Sequence, residues 1–233
     1  MLRAKNLHIG YDTVLAVAND LHIEQGTCMA IVGRNGKGKS TLMQTLRGKL
    51  KALHGTIELQ ELDITHWSPA QLAKEVAWVN TRFLGVPYLS ALDYVLLGRI
   101  PFVGATGFVS QADKIIAENA LEAVGASYLS NRQTLSLSDG ERQLLSIARA
   151  LAQETKIILL DEPTAFLDFF HRRKLMGLLQ EIAKEKNRAI LLSTHDLHLV
   201  SEFQLPIIVI NNQGNILQQE AIKSFEALEI LLS

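Results

Sequence analysis

Along the first quarter of the chain, apolar positions come in short runs separated by polar turns: Arg3 to Ile9, Thr13 to Val17, Leu21 to Ile23, Cys28 to Val32 and Thr56 to Leu59. Runs of this length bounded by Gly, Asn and Asp predict strands. Ser68-Pro69-Ala70-Gln71 predicts a capped helix start, with Pro at the first helical position and Gln in capping-box register. A short strand is expected over Val76 to Val79, and residues from about Phe83 to Ser136 read as helical, with Gly and Pro punctuation between Gly98 and Gly107. A helix over Glu141 to Gln153, a buried strand over Ile157 to Leu160 and a helix after Asp168 then follow in βαβ order. The next run, Ala189 to Ser193, is nearly continuously apolar, as a parallel strand covered on both faces should be. The pattern predicts an α/β fold: a mostly parallel core with a helical insertion.

Bulk properties narrow the picture. A chain of 233 residues suits one α/β domain and can bury a large core. Its formal net charge of -1 gives no nucleic-acid footprint, and Arg172-Arg173-Lys174 reads as a solvated helix face. Although 48% of the residues are hydrophobic, no apolar stretch approaches the length of a membrane span, about 20 residues. The opening Met-Leu-Arg-Ala-Lys-Asn lacks an apolar signal core, so a cytoplasmic location is expected. Cys28, the single cysteine, sits inside an expected strand and reads as a packed thiol.

The strongest chemical signal is Gly33-Arg-Asn-Gly-Lys-Gly-Lys-Ser-Thr41, between the strand Cys28 to Val32 and a helix-like run from Ser40 to Arg47. Strand, glycine loop and helix start together form a phosphate cradle. Gly33, Asn35, Gly36, Lys37, Gly38 and Thr41 supply the backbone nest. Lys39 reaches the β- and γ-phosphates, and the Ser40 hydroxyl sits on Mg²⁺.

Downstream, Ile157 to Leu160 delivers Asp161 and Glu162 at a strand's carboxyl end, where open α/β sheets bind ligands. Asp161 suits Mg²⁺, usually through water, and Glu162 suits orienting or deprotonating a water. Ser138-Asp139-Gly140-Glu141 has two readings: a capping box that needs no ligand, and a second anion site at a helix start. His195 follows a strand end, where it is either structural or a γ-phosphate contact. Tyr11, in a turn-like Gly10-Tyr11-Asp12, is either a core-edge plug or a base-stacking ring.

Together these segments resemble the ATP-binding cassette (ABC) ATPases over essentially the whole chain. Leu137-Ser138-Asp139-Gly140-Glu141 looks like the family's LSGGQ signature. Tyr11, the phosphate loop, the signature, Asp161-Glu162, Ala165 to Asp168 as the D-loop and His195 as the switch histidine come in the family's order. The resemblance implies a phosphate-loop NTPase (RecA-like) core with an N-terminal antiparallel β-subdomain and an inserted helical subdomain. On that pattern the core lobe covers about 1–82 and 146–233, and the signature-bearing lobe about 83–145. It also implies a Mg²⁺-dependent ATPase working as a head-to-tail homodimer around two ATP molecules, so that the signature acts in trans. Lys39, Glu162 and His195 are the expected catalytic residues, with Ser40 and Asp161 on the metal.

One position departs from the family pattern. A Gln usually ends the strand before the helical lobe, and here Thr81 takes that place, after Asn80. Its shorter arm needs a bridging water to reach the metal, so hydrolysis is expected to survive while coupling to the membrane partner changes. Leu97-Gly98-Arg99-Ile100-Pro101 looks most like cassettes importing iron–siderophore, haem or cobalamin. The implied partners are integral membrane permease subunits and, indirectly, an extracytoplasmic solute-binding protein. The implied location is peripheral, on the cytoplasmic face of the membrane. The extra regulatory domain of some sugar-importer cassettes is not expected. Two alternatives stand beside this reading: a non-transport ABC protein, and a weakly hydrolysing regulatory nucleotide-binding subunit.

Overall fold

In a computed structural model, which describes residues 1–104, 107–222 and 231, ten strands form one sheet in the order β5-β4-β1-β2-β10-β9-β3-β8-β7-β6. The strands are β1 (Leu2–Gly10), β2 (Val14–Ile23), β3 (Cys28–Gly33), β4 (His54–Leu59), β5 (Leu62–Asp63), β6 (Val76–Val79), β7 (Ile157–Leu160), β8 (Ala189–Thr194), β9 (Ile207–Ile210) and β10 (Asn215–Gln219). The segment β9-β3-β8-β7-β6 is parallel throughout, whereas β2-β1-β4-β5 is antiparallel. The two parts join through β10, parallel to β2 and antiparallel to β9.

The α-helices are α1 (Lys39–Leu46), α2 (Pro69–Glu75), α3 (Ala91–Leu96), α4 (Gln111–Ala123), α5 (Asp139–Ala152), α6 (Phe169–Glu185) and α7 (Leu197–Glu202). Side chains alternate across a strand, and β3 divides its own accordingly. Met29 and Ile31 pack with Leu42, Met43 and Leu46 of α1. Cys28, Ala30 and Val32 face the opposite core, built with α3, α4, α5 and α6. Burial pushes the Cys28 thiol up to about 12, as befits a packed thiol without a chemical role.

Three expectations need correction. The pair of strands expected over Thr13–Val17 and Leu21–Ile23 is a single strand, β2, because Ala18 and Asp20 continue the ladder opposite Leu7 and Lys5. Asn19-Asp20 carries turn-prone residues, yet Asp20 instead takes a bidentate ion pair from Arg3 on the neighbouring strand, at 3.0 and 3.2 Å. The stretch after Phe83 is less helical than expected: residues 83–89 form no helix, and beyond the expected punctuation 108–110 are still irregular before α4. Gly85 explains part of this, since its φ of +82° belongs to the left-handed region and a Cβ there would lie 2.9 Å from the Thr134 carbonyl. Positions 105–106 of the expected punctuation, and 223–230 and 232–233 of the expected core lobe, lie outside the described residues. Finally, β5, β9 and β10 lie outside every expected strand.

Candidate functional site

The parallel strands end on one edge of the sheet, so their carboxyl ends converge there. β8 lies between β3 and β7. The phosphate loop leaves β3, Asp161-Glu162 leaves β7, and His195 leaves β8. Three segments far apart in sequence therefore meet because of strand order.

The loop has the geometry that an anion seat requires. Gly36 and Gly38 have φ of +79° and +106°, conformations open to glycine and strained for other residues. Gly33 sits so close to β9 that a Cβ would come 3.0 Å from the Ile210 carbonyl. Lys37 donates from Nζ to the Asn212 carbonyl at 3.1 Å, while Asn35 is exposed and Thr41 buried. Lys39 is buried and donates to the Gly33 carbonyl at 2.9 Å, with its Nζ 3.8 Å from Glu162 Oε1. Its ammonium therefore already lies at the loop's mouth beside the second carboxylate.

Asp161 is tied on both oxygens. Ser40 Oγ donates to Oδ2 at 2.8 Å, and Ser193 Oγ donates to Oδ1 at 2.6 Å. The Glu162 backbone N–H donates to the same Ser193 hydroxyl at 2.8 Å. Glu162 has φ of +49°, unusual for a residue with a side chain, and its Oε2 lies 2.9 Å from His195 Nδ1. Lys39, Ser40, Asp161, Glu162 and His195 are thus brought into one constellation. Ser193 belongs to it too and was missed; the available signal was a pair of hydroxyl residues, Ser193 and Thr194, closing an otherwise apolar, fully buried strand.

Tyr11 lies in the bend between β1 and β2, 68% exposed. This hairpin flanks the loop, because a Cβ on Gly38 would come 2.9 Å from Leu15 Cδ2. Thr81, half-buried, follows the end of β6. That strand borders a cleft of about 520 Å³ lined by Arg47, Lys49, Trp78 and Arg149 among others, with no carboxylate in its lining.

The signature segment stands elsewhere. Ser138 caps α5, accepting from the Glu141 N–H, while Glu141 accepts from the Ser138 N–H. With Gly140, Phe166 and Asp168, these residues line a groove of about 600 Å³ to which no phosphate-loop residue contributes. Arg142 donates to Asp139 at 2.7 Å and, with Arg82 at 3.8 Å, holds the Asp139 carboxyl below its usual range. Glu141 is likewise lowered, first by the Ser138 N–H, with Arg132 at 3.2 Å adding to it. Asp168 caps α6, and the His171 N–H and ring lower it in turn. The chain therefore keeps its two anion-type motifs apart.

A glycine nest at the end of a central parallel strand, with a lysine, a hydroxyl and two carboxylates at its mouth, defines a phosphate-loop NTPase. Within that class the chain belongs to the ABC transporter family, whose model matches residues 18–165. It is similar to an uncharacterized ABC transporter ATP-binding protein of Methanocaldococcus jannaschii, 40% identical over 91% of this chain and 73% of that protein. The hemin import ATP-binding protein HmuV of Pseudomonas fluorescens is 35% identical over 100% of this chain and 94% of its own length. The iron(3+)-hydroxamate import ATP-binding protein FhuC of Bacillus subtilis is 33% identical over 99% and 84%. Among solved structures, a dimeric bacterial ABC transporter cassette matches with a TM-score of 0.83 at 26% identity, covering 95% of this chain and 99% of that one. The chain is an ATP-binding, ATP-hydrolysing cassette. Among the described residues no helix is long and apolar enough to cross a membrane.

Proposed function

We propose that this cassette powers an importer of iron–siderophore, haem or cobalamin-type solutes, sitting peripherally on the cytoplasmic face of the membrane against integral permease subunits. An extracytoplasmic solute-binding protein acts upstream of them. Two copies close head to tail, so that each phosphate loop meets the Ser138-Asp139-Gly140-Glu141 segment of the other, with Asp168 near the seam and Tyr11 against the adenine. Residues 1–82 and 146–233 act as the core lobe and 83–145 as the signature-bearing lobe.

The observation that carries the hydrolytic reading is the constellation around Asp161 and Glu162. Lys39 and the loop N–H groups bind the phosphates, and the lysine exchanges the Gly33 carbonyl for a phosphate oxygen. A hydroxyl and a carboxylate oxygen 2.8 Å apart, from Ser40 and Asp161, are the hard oxygen donors that suit Mg²⁺. When bound, the ion neutralises phosphate charge. Glu162 takes the proton of the attacking water, and His195, hydrogen-bonded to Glu162 at 2.9 Å, orients it and steadies the γ-phosphate. Dimer closure on ATP and reopening after hydrolysis shift the population between two states of the permease.

Replacing Glu162 with Gln tests this directly. Turnover should fall at least about 100-fold, while an ATP-bound dimer accumulates on size-exclusion chromatography. Near wild-type turnover would overturn the assignment of Glu162.

The permease is read as seated in the cleft beside β6, and Thr81 as altering what passes between that cleft and the nucleotide. In the assembled transporter, haem or a ferric siderophore on its binding protein should raise wild-type turnover, and Thr81→Gln should change that stimulation. A transporter that no such solute stimulates sinks the solute class. Equal stimulation of both cassettes sinks the role given to Thr81.

A further inference from the structure

We infer that Ser193 is a positioning residue for hydrolysis, bonded at once to the Asp161 carboxylate and to the backbone that aims the Glu162 carboxylate. The inference rests on the reading of Asp161 and Glu162 given above and extends it to a residue outside all the motifs.

Strand order supplies the argument. In the parallel ladder Leu160 of β7 pairs with Leu192 of β8, so the next residues, Asp161 and Ser193, stand side by side. By alternation Ser193 shares the sheet face of Leu191, and Asp161 that of Leu159, which is the face that α1 covers. Ser40 comes from α1 on that same side.

Ser193 is fully buried, where an unused hydroxyl is costly, and it uses both sides of its chemistry. Its O–H donates to Asp161 Oδ1 at 2.6 Å, and its lone pair accepts the Glu162 N–H at 2.8 Å. The first bond fixes the Asp161 carboxylate and leaves Oδ2 to Ser40. The second holds the backbone where Glu162 takes its φ of +49°. That turn carries the Glu162 side chain between Lys39 and His195. An alanine at 193 leaves a buried carboxylate oxygen and a backbone N–H without their shared partner, so the Asp161 carboxylate keeps only its bond from Ser40 and the Glu162 carboxylate only its neighbours Lys39 and His195.

The test compares Ser193→Ala, Ser193→Thr and Glu162→Gln in the full chain. A hydrogen bond to a charged group contributes about 1.5–3 kcal/mol, so Ser193→Ala should lose roughly 10–100-fold in kcat, with KM for ATP changing less than about threefold. Ser193→Thr, which restores the hydroxyl, should recover most of the loss. A second readout needs no turnover. In a Glu162→Gln background, Ser193→Ala should weaken ATP binding in the presence of Mg²⁺ and leave binding in EDTA unchanged. Wild-type kcat in Ser193→Ala overturns the inference. So does a loss that Thr does not rescue and that weakens binding equally with and without Mg²⁺, since that is merely structural. Should the alanine protein fail to fold, Ser193→Cys, near in volume but a weaker donor, carries the same expectations. If Glu162→Gln itself keeps wild-type turnover, the hydrolytic reading fails, whatever Ser193 does.

Discussion

Helices α1 and α5 begin in opposite ways. The first N–H groups of any helix lack intrahelical partners, so each start is a place where an anion can be held or where the chain must satisfy itself. α1 starts on Gly38, with no side-chain cap and no acidic residue in its first turn. α5 starts on Ser138 with a complete capping box, and Asp139 and Glu141 occupy its first turn. The same device is thus left open in one place and closed in the other. The open start suits a ligand bound within one copy of the chain. The closed start is stable alone, and two carboxylates paired with Arg82, Arg132 and Arg142 make it a poorer seat for an isolated anion. On the proposed reading, the hydroxyl of Ser138 exchanges the bond it donates to the Glu141 carboxylate, at 3.0 Å, for one to a phosphate. That exchange fits a contact made only when two cassettes close.

Mutating the two cap residues breaks this comparison at its strongest point first. Gly38 has φ of +106°, and a Cβ there would lie 2.9 Å from Leu15 Cδ2. Gly38→Ala therefore adds strain of about 1–3 kcal/mol to the open cap. ATP affinity of the isolated chain should fall roughly 10–100-fold, measured by calorimetry. Unchanged affinity would mean that the loop does not need its glycine nest.

Ser138 offers a finer cut, because two substitutions separate its jobs. Ser138→Ala removes the cap at about 1 kcal/mol, whereas glycine at an N-cap costs only a few tenths. The alanine protein should melt about 2–4 °C lower and the glycine protein near the wild type. Either removes the hydroxyl, so the steady-state ATPase of both should fall about tenfold if that hydroxyl stabilises charge across the dimer. If glycine restores turnover along with stability, Ser138 is a cap and nothing more.

What the sequence made legible follows the range of the interactions. Ser68 with Gln71 and Ser138 with Glu141 are capping boxes that a four-residue window suffices to predict, and both form. The strand, loop and helix from Cys28 to Leu46 are equally local. β9 is a four-residue apolar run that gains its identity only by lying beside β3 and β10. Ser193 escaped notice because a serine in an apolar run says nothing of its partners. Those partners are fixed by β8 lying next to β7, a fact of sheet order. Arg99, read as part of a subfamily marker, likewise proves to be a buried tie whose acceptors lie on two distant helices and a loop.

That tie gives the smallest effect, at the far end of α5. Arg99 donates to the carbonyl of Ala152, the last residue of α5, at 2.8 Å, to Glu154 at 2.9 Å and to Asp113 of α4 at 2.9 Å. Gly98 permits the approach, since a Cβ there would come 2.3 Å from the Arg149 carbonyl. With Arg149 donating to the Trp78 carbonyl at 2.7 Å and Gln153 to that of Ala73 at 2.6 Å, α5 is held at its C-terminal end as firmly as its box holds the start. Bonds from Ser110, and then the Arg99 guanidinium, lower the Asp113 carboxyl from 3.8 to about 2. A carboxyl whose pKa is lower in the folded state than in the unfolded one stabilises the fold above the unfolded value. That stability is lost as pH falls through the folded value. Asp113→Asn should therefore melt below the wild type at neutral pH, with the gap closing as pH falls from about 4 to about 2. Melting curves of the two proteins across that range check it. A gap that stays constant with pH would assign the tie to the packing of the Arg99 guanidinium over the Phe102 ring, 4.5 Å from its centroid, rather than to the charge on Asp113.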